Sequence, residues 1–168
     1  DWSSDVCSSD LSPGGKGIWK DCRFHFKPPI DECDAFVSFN SIQSTIKLKC
    51  PSENTLFITG EPSTIMKYET RFINQFAKVI TSQRNLQHNF KIYYQQGLPW
   101  HVGRNYINNQ EYGFHYDYDY FKNTPIPEKT KLLSVISTNK SFTKGHRQRF
   151  KFALKLKEHF KDKIDIFG

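Results

Sequence analysis

The sequence lacks any stretch approaching the roughly 20 apolar residues that a membrane-spanning helix requires, and its start carries no charged, apolar, small-residue signal pattern. It also lacks CxxC and zinc-like cysteine pairings. With Cys7 set aside in an unusual leader, Cys22, Cys33 and Cys50 remain, an odd set that argues against a disulfide framework and reads as small buried hydrophobes in a reduced compartment. No GxGxxG or Walker pattern is present, which excludes a standard dinucleotide or P-loop site. No repeat of 20 to 50 residues is evident, so a solenoid is excluded as well. The six histidines are scattered and no metal cluster is expected; His25, His88, His115 and His159 read as structural or surface residues.

What the sequence does contain is aromatic surface. Fifteen phenylalanines, eight tyrosines and three tryptophans provide enough large apolar area to offset the ordering entropy of folding. A chain of 168 residues buries one core, or one core plus the opening of another. The net charge of +7 points to an anionic partner, and composition alone does not choose among nucleic acid, lipid headgroup and nucleotide diphosphate. Basic residues crowd the segment from Lys140 to Lys163, where a solvated helix face accounts for most of the lysines.

Along the chain, residues 1–11 repeat Ser-Ser-Asp and resemble a translated adapter, so they are expected to be a non-native leader. Residues 12–123 read as a first α/β domain. Trp19, Phe24 and Phe26 fit a first strand, 35–39 a buried strand, and 45–48 a helix end or short strand. The run from Thr55 to Thr59 is the clearest strand, stopped by Gly60-Glu61-Pro62. Ser63 then caps a predicted helix carrying Ile65, Tyr68, Phe72 and Phe76, and 78–81 returns as a strand, so the segment reads as a parallel β-α-β unit. Loops fill 83–127, and residues 124–130, with Pro125 and Pro127, form a linker. From 131 to 168 a strand over 131–137, a helix from about His146 to Phe160 and a strand over 164–167 open a second Rossmann-like domain, which stops at its third element.

Ligands of open α/β sheets bind outside the carboxyl ends of the strands. The first such end carries Gly60, which admits close backbone approach, and Glu61, either a general base or a carboxylate complementing a helix N-terminus. At the second end, Ser137, Thr138, Asn139 and Lys140 precede a helix that opens with His146, Arg147 and Arg149. Hydroxyls, free backbone N–H groups and guanidinium forks together suit a diphosphate.

These blocks carry a resemblance. The run from Phe57 to Pro62 followed by Val79-Ile80-Thr81 resembles the acceptor-side turn of glycosyltransferase family 10, the α-1,3/1,4-fucosyltransferases. The run from Ser134 to Lys140, then Arg147-Gln148-Arg149 and finally 164–168, is similar to the family's signature of a Ser-Asn strand end, an Arg-bearing helix and an Asp-x-Phe/Tyr-Gly strand end. One departure is Thr138, which separates Ser137 from Asn139 and keeps a hydroxyl there. Of the two arginines that compete for one family position, Arg149 is preferred because the helix's apolar residues follow it directly.

The resemblance implies a GT-B type α/β architecture, with a Rossmann-like acceptor domain and a truncated second Rossmann-like domain that binds GDP-fucose. It implies inverting transfer of fucose to a hydroxyl of a glycan such as lipopolysaccharide, with Glu61 as base and Ser137, Asn139, Lys140 and Arg149 on the donor. Gly60, Trp100 and His101 would line the acceptor cleft. No metal or other cofactor is implied, and the partners would be GDP-fucose and an oligosaccharide acceptor rather than nucleic acid. The expected place is cytoplasmic or peripheral on the inner membrane in a bacterium, and the Golgi membrane in a eukaryote. A piece that ends at Gly168 is expected to be inactive alone. Two alternatives stay open: a basic module for single-stranded nucleic acid, in which lysines track phosphates and tyrosines stack on bases, and a GT-B transferase using another nucleotide sugar.

Overall fold

The computed structural model describes residues 11–26, 30–42, 45–97, 102–107, 110–114 and 116–168. The chain divides into two compact units, residues 1–124 and 125–168. The fold is mixed α/β and is built on a parallel four-stranded sheet, an arrangement consistent with a Rossmann-like fold.

In unit 1, Ile18–Trp19 (β1) and Cys22–Arg23 (β2) pair antiparallel. The expected single strand over 18–26 is therefore a small hairpin, turned by Lys20 at a φ of 55°. Cys22 is exposed, unlike the buried thiol expected there. The main sheet follows, with Phe36–Phe39 (β3), Thr55–Ile58 (β4), Lys78–Thr81 (β5) and Lys91–Tyr93 (β6) side by side in chain order and all parallel. β3 is an edge strand in which only Ser38 is buried, so the expectation of a buried strand fails. Residues 45–48 form neither a helix end nor a strand.

Parallel crossovers are right-handed, so a strand order that never reverses sends every connection to the same face. The core lies on that face. Phe57 and Val79 are fully buried there, and the rings of Tyr68, Phe72 and Phe76 each sit 5.2 Å from the Phe57 ring. On the opposite face, β3 to β6 align Phe39, Ile58, Ile80 and Ile92 in one row, with Phe39 and Ile92 exposed at its two ends.

The helix expected after Ser63 is shorter and later than its spacing suggests. Residues 63–65 are a turn, closed by Met66 N–H donating to the Pro62 carbonyl at 3.0 Å, and the helix is Thr70–Ile73 (α1) with Glu69 as its N-cap. Tyr68, Phe72 and Phe76 still meet on one side, because a turn, a short helix and a second turn keep their four-residue spacing. The second turn is fixed by Ala77 N–H donating to Thr55 Oγ1 at 2.8 Å.

The region expected to be loops holds β6, an antiparallel hairpin of Arg104–Ile107 (β7) and Gln110–Phe114 (β8), and a helix, Tyr118–Asn123 (α2). Asp117 caps α2 by accepting from Tyr120 N–H, and Asp119 accepts from Gly14 N–H at 2.6 Å.

Unit 2 is smaller. Leu133–Ile136 (β9) and Ile164–Phe167 (β10) are parallel, joined by a 17-residue helix, Lys144–Phe160 (α3). Helix α3 begins two residues before the expected start, capped by Thr143, whose Oγ1 accepts from His146 N–H at 3.1 Å. Ala153 in α3 and Ile164 in β10 are the buried apolar residues of unit 2. Among the described residues, no helix is long and apolar enough to cross a membrane.

Candidate functional site

The sheet of unit 1 ends in a corner that hydrogen bonds fix from several sides. Thr59, next after β4, is fully buried, and its hydroxyl bonds to Thr81 Oγ1 at 3.0 Å; Thr81 Oγ1 also accepts from Gln83 N–H at 3.0 Å. Gly60 is buried against β3: a Cβ there would lie 2.8 Å from Phe39 Cζ and 3.1 Å from Asn40 Oδ1. Glycine is required by this close approach.

Both backbone groups of Glu61 are held. Its N–H donates to the Tyr68 hydroxyl at 3.3 Å, and its carbonyl accepts from Gln83 Nε2 at 2.8 Å. Gln83 is itself buried and also donates to the Met66 carbonyl, tying the turn to β5. The Tyr68 hydroxyl donates to Asn40 Oδ1, and Asn40 sits at a φ of 63°, a left-handed conformation that asparagine tolerates. Burial pushes the Tyr68 phenol above its ordinary 10.0, against the opposing pull of the Glu61 and Gly60 backbone hydrogen bonds. The phenol therefore stays protonated and remains a donor.

The Glu61 side chain is half-buried and its carboxylate has no hydrogen-bond partner among the described residues. It does not complement a helix N-terminus, since α1 begins only at Thr70. A fixed backbone with an unengaged carboxylate suits a group that must meet a ligand's proton in one position.

Beside this corner, Asn40, Ser41, Ile42, Met66, Lys67 and Tyr68 border a cleft of about 280 Å³. A larger cavity of about 610 Å³ opens at the other end of β3 and β4, around Phe36, Leu48 and Cys50, away from Glu61. Trp100 and His101 lie outside the described residues.

The second corner belongs to unit 2. Ser137 N–H donates to the Phe167 carbonyl at 2.7 Å, continuing the β9–β10 pairing by one residue. Its hydroxyl is buried without a partner among the described residues, while Thr138, Asn139 and Lys140 are exposed. The structure separates the two arginines that sequence left in competition. Arg147 Nη1 donates to the Ser141 carbonyl at 2.8 Å and so secures the loop before α3. Arg149 is exposed with no hydrogen bond or ion pair among the described residues, and helical spacing sets it on the same stripe as His146, Ala153, Leu156 and Phe160. That stripe contains the half-buried and buried positions of α3, and Arg149 is its exposed member, one turn after His146.

No family model, no curated protein and no solved structure matches this chain.

The site is therefore described by its own chemistry. The described residues contain no group of three or more His, Cys, Asp and Glu able to hold a metal ion. They do contain a glycine-supported carboxylate at one strand end, and a serine, an asparagine and two cations at another. The strands of the main sheet show no reversal of order, so Glu61 sits at a strand end without the switch-point crevice of a standard nucleotide-binding sheet.

Sequence reasoning missed the residues that hold Glu61, namely Tyr68 and Gln83, and Asn40, which holds Tyr68. Only Tyr68 had a signal, and its aromatic spacing pointed to the core rather than to its hydroxyl. Thr143 was missed as a cap as well, and a threonine three residues before His146 was the signal that could have found it.

Proposed function

We propose that the chain is the acceptor-side domain and the opening donor-side unit of an inverting fucosyltransferase of GT-B architecture. The observation that carries this reading is Arg149: an unengaged guanidinium, the exposed member of the half-buried stripe of α3, beyond a strand end that presents Ser137, Asn139 and Lys140.

In this reading Glu61 removes the proton from an acceptor glycan hydroxyl as its oxygen bonds to the fucose anomeric carbon. The bond from that carbon to the diphosphate breaks, and GDP leaves with the electron pair. Arg149, Asn139 and Lys140 stabilise the charge that develops on it, and the orphan N–H groups at the start of α3 add to the positive field. Fixed cations do the neutralising, so the reading calls for no metal. The acceptor is an oligosaccharide bordered by Gly60 and Glu61, and the setting is the cytoplasm or a membrane surface.

Binding of GDP to this chain, measured by calorimetry, tests the donor half. Arg149→Ala should weaken it by about tenfold or more, while Arg147→Ala acts through the loop and weakens it less. Absence of GDP binding, together with steeply salt-dependent binding of single-stranded oligonucleotides, would overturn the proposal in favour of a nucleic-acid module. In the complete enzyme, Glu61→Gln should lower GDP-fucose turnover by about 10²- to 10⁴-fold with GDP affinity kept. Unchanged turnover in that variant removes Glu61 as the base.

A further inference from the structure

Cys33 and Cys50 stand side by side for a reason built into the backbone. Residues 31–33 run parallel to Lys49: Lys49 N–H donates to the Asp31 carbonyl at 2.9 Å, and Cys33 N–H donates to the Lys49 carbonyl at 3.0 Å. Glu32 and Lys49 are the paired residues, reinforced by a 3.0 Å ion pair between their side chains. One step on in the same register, Cys33 falls opposite Cys50. Parallel neighbours lie about 4.8 Å apart and directly opposed side chains point to the same side, which is inside the Cα separation of about 4.4–6.8 Å that a disulfide accepts. Both thiols are free and half-buried, and the Cys50 thiol donates to the Pro51 carbonyl at 3.5 Å.

We propose that Cys33 and Cys50 form an oxidative modification site, a dithiol that closes to an intramolecular disulfide when the chain meets a low-molecular-weight disulfide. One thiol, as its thiolate, attacks the small disulfide and releases the first small thiolate, leaving a mixed disulfide on the protein. The second protein thiol, deprotonated, attacks the protein sulfur of that bond and releases the other small thiolate. Two electrons pass from the cysteine sulfurs to the small disulfide, and the two protons they lose end on the two small thiols.

The site has a consequence for the molecule. Cys50 lines the cavity of about 610 Å³ together with Phe36, Ile42, Leu48 and Phe76. A Cys33–Cys50 bond closes a loop containing β3 and the 45–50 wall of that cavity, so oxidation fixes its mouth. Burial pushes the Cys50 thiol up, so Cys50 rests as a thiol at neutral pH and its part in closure quickens as pH rises.

The test is incubation of the whole chain with oxidised glutathione, followed by digestion without reductant and mass spectrometry. The expected product is a Cys33–Cys50 cross-linked peptide pair, lighter by two hydrogens than the two free peptides, with exposed Cys22 carrying glutathione instead. The Tm should rise by about 5–10 °C on closure and return with dithiothreitol. Cys33→Ser should leave Cys50 with a glutathione adduct and remove that gain. Separate glutathione adducts on Cys33 and Cys50 in the unsubstituted chain, links from either one to Cys7 or Cys22, or thiols that stay unreacted in the folded protein would each overturn the proposal.

Discussion

Units 1 and 2 both place a helix between parallel strands, but they bury very different amounts of side chain. In unit 1 the Phe57 ring is enclosed by Tyr68, Phe72 and Phe76, with Ile73, Val79 and Leu86 buried around it. In unit 2 only Ala153 and Ile164 are buried apolar residues, while Ile136 is 83% and Phe152 62% exposed. A two-stranded sheet with one helix gains little from burial. The proposed base therefore stands on a well-packed turn, and the proposed anion site stands on an element that opens readily. Anything that binds the second corner should then stabilise unit 2 with the logarithm of its concentration above its Kd, and hydrogen exchange in GDP would report this first in β9 and α3.

The largest expected effect tests the packing contrast itself. Phe57→Ala should cost about 3–5 kcal/mol, because it empties the centre of an aromatic cluster, whereas Ile164→Ala should lie near the lower end of about 2–5 kcal/mol. Hydrogen exchange of the β4 and β5 amides against those of β9 and β10 separates the two losses. Equal costs would break the comparison.

Next in size is Gly60→Ala. The added methyl meets Phe39 and Asn40 at 2.8 and 3.1 Å, and the edge strand must shift to admit it, at a cost of about 1–3 kcal/mol read by chemical denaturation. The corresponding glycine of unit 2 behaves differently. The nearest atom to a Cβ on Gly145 is Thr143 Oγ1 at 3.8 Å, so Gly145→Ala should not strain the fold and should favour the helix slightly.

These positions also show what the sequence makes legible. The strands 55–58, 133–136 and 164–167 could be read because their apolar runs are short and bounded by Gly, Pro or Lys-rich turns. Strand β6 could not, since Lys91, Ile92 and Tyr93 lie at a sheet edge where exposure erases the pattern. The four-residue spacing of Tyr68, Phe72 and Phe76 correctly marked one packed face, yet it implied a longer helix than the chain forms. Of the candidate site, Gly60, Glu61 and Arg149 were visible as residue types at strand and helix ends. The bonds that fix Glu61 were not, because Gln83 reaches it from 22 residues away and Asn40 acts through Tyr68, 28 residues from it.

A smaller effect separates the true cap from the mistaken one. Thr143→Ala removes the acceptor for His146 N–H and should cost unit 2 about 1 kcal/mol, seen as faster exchange in the first turn of α3. Ser63→Ala, in a turn rather than at a helix start, should stay within about 0.5 kcal/mol.

An effect of similar size concerns Tyr68, and pH is its best readout. Tyr68→Phe deletes the acceptor of Glu61 N–H and the donor to Asn40 Oδ1, at a cost of about 0.5–1.5 kcal/mol at neutral pH. Because burial holds the folded-state phenol above its unfolded value near 10.0, folding favours the protonated form. The stability that Tyr68 contributes is therefore complete below pH 10 and is lost as pH rises through the raised folded value. The stability gap between the unsubstituted chain and Tyr68→Phe should narrow above pH 10. A gap that stays constant well above that pH would mean the hydroxyl does not hold the Glu61 turn, and the rigidity assigned to the first corner would rest on Gln83 and the buried threonines alone.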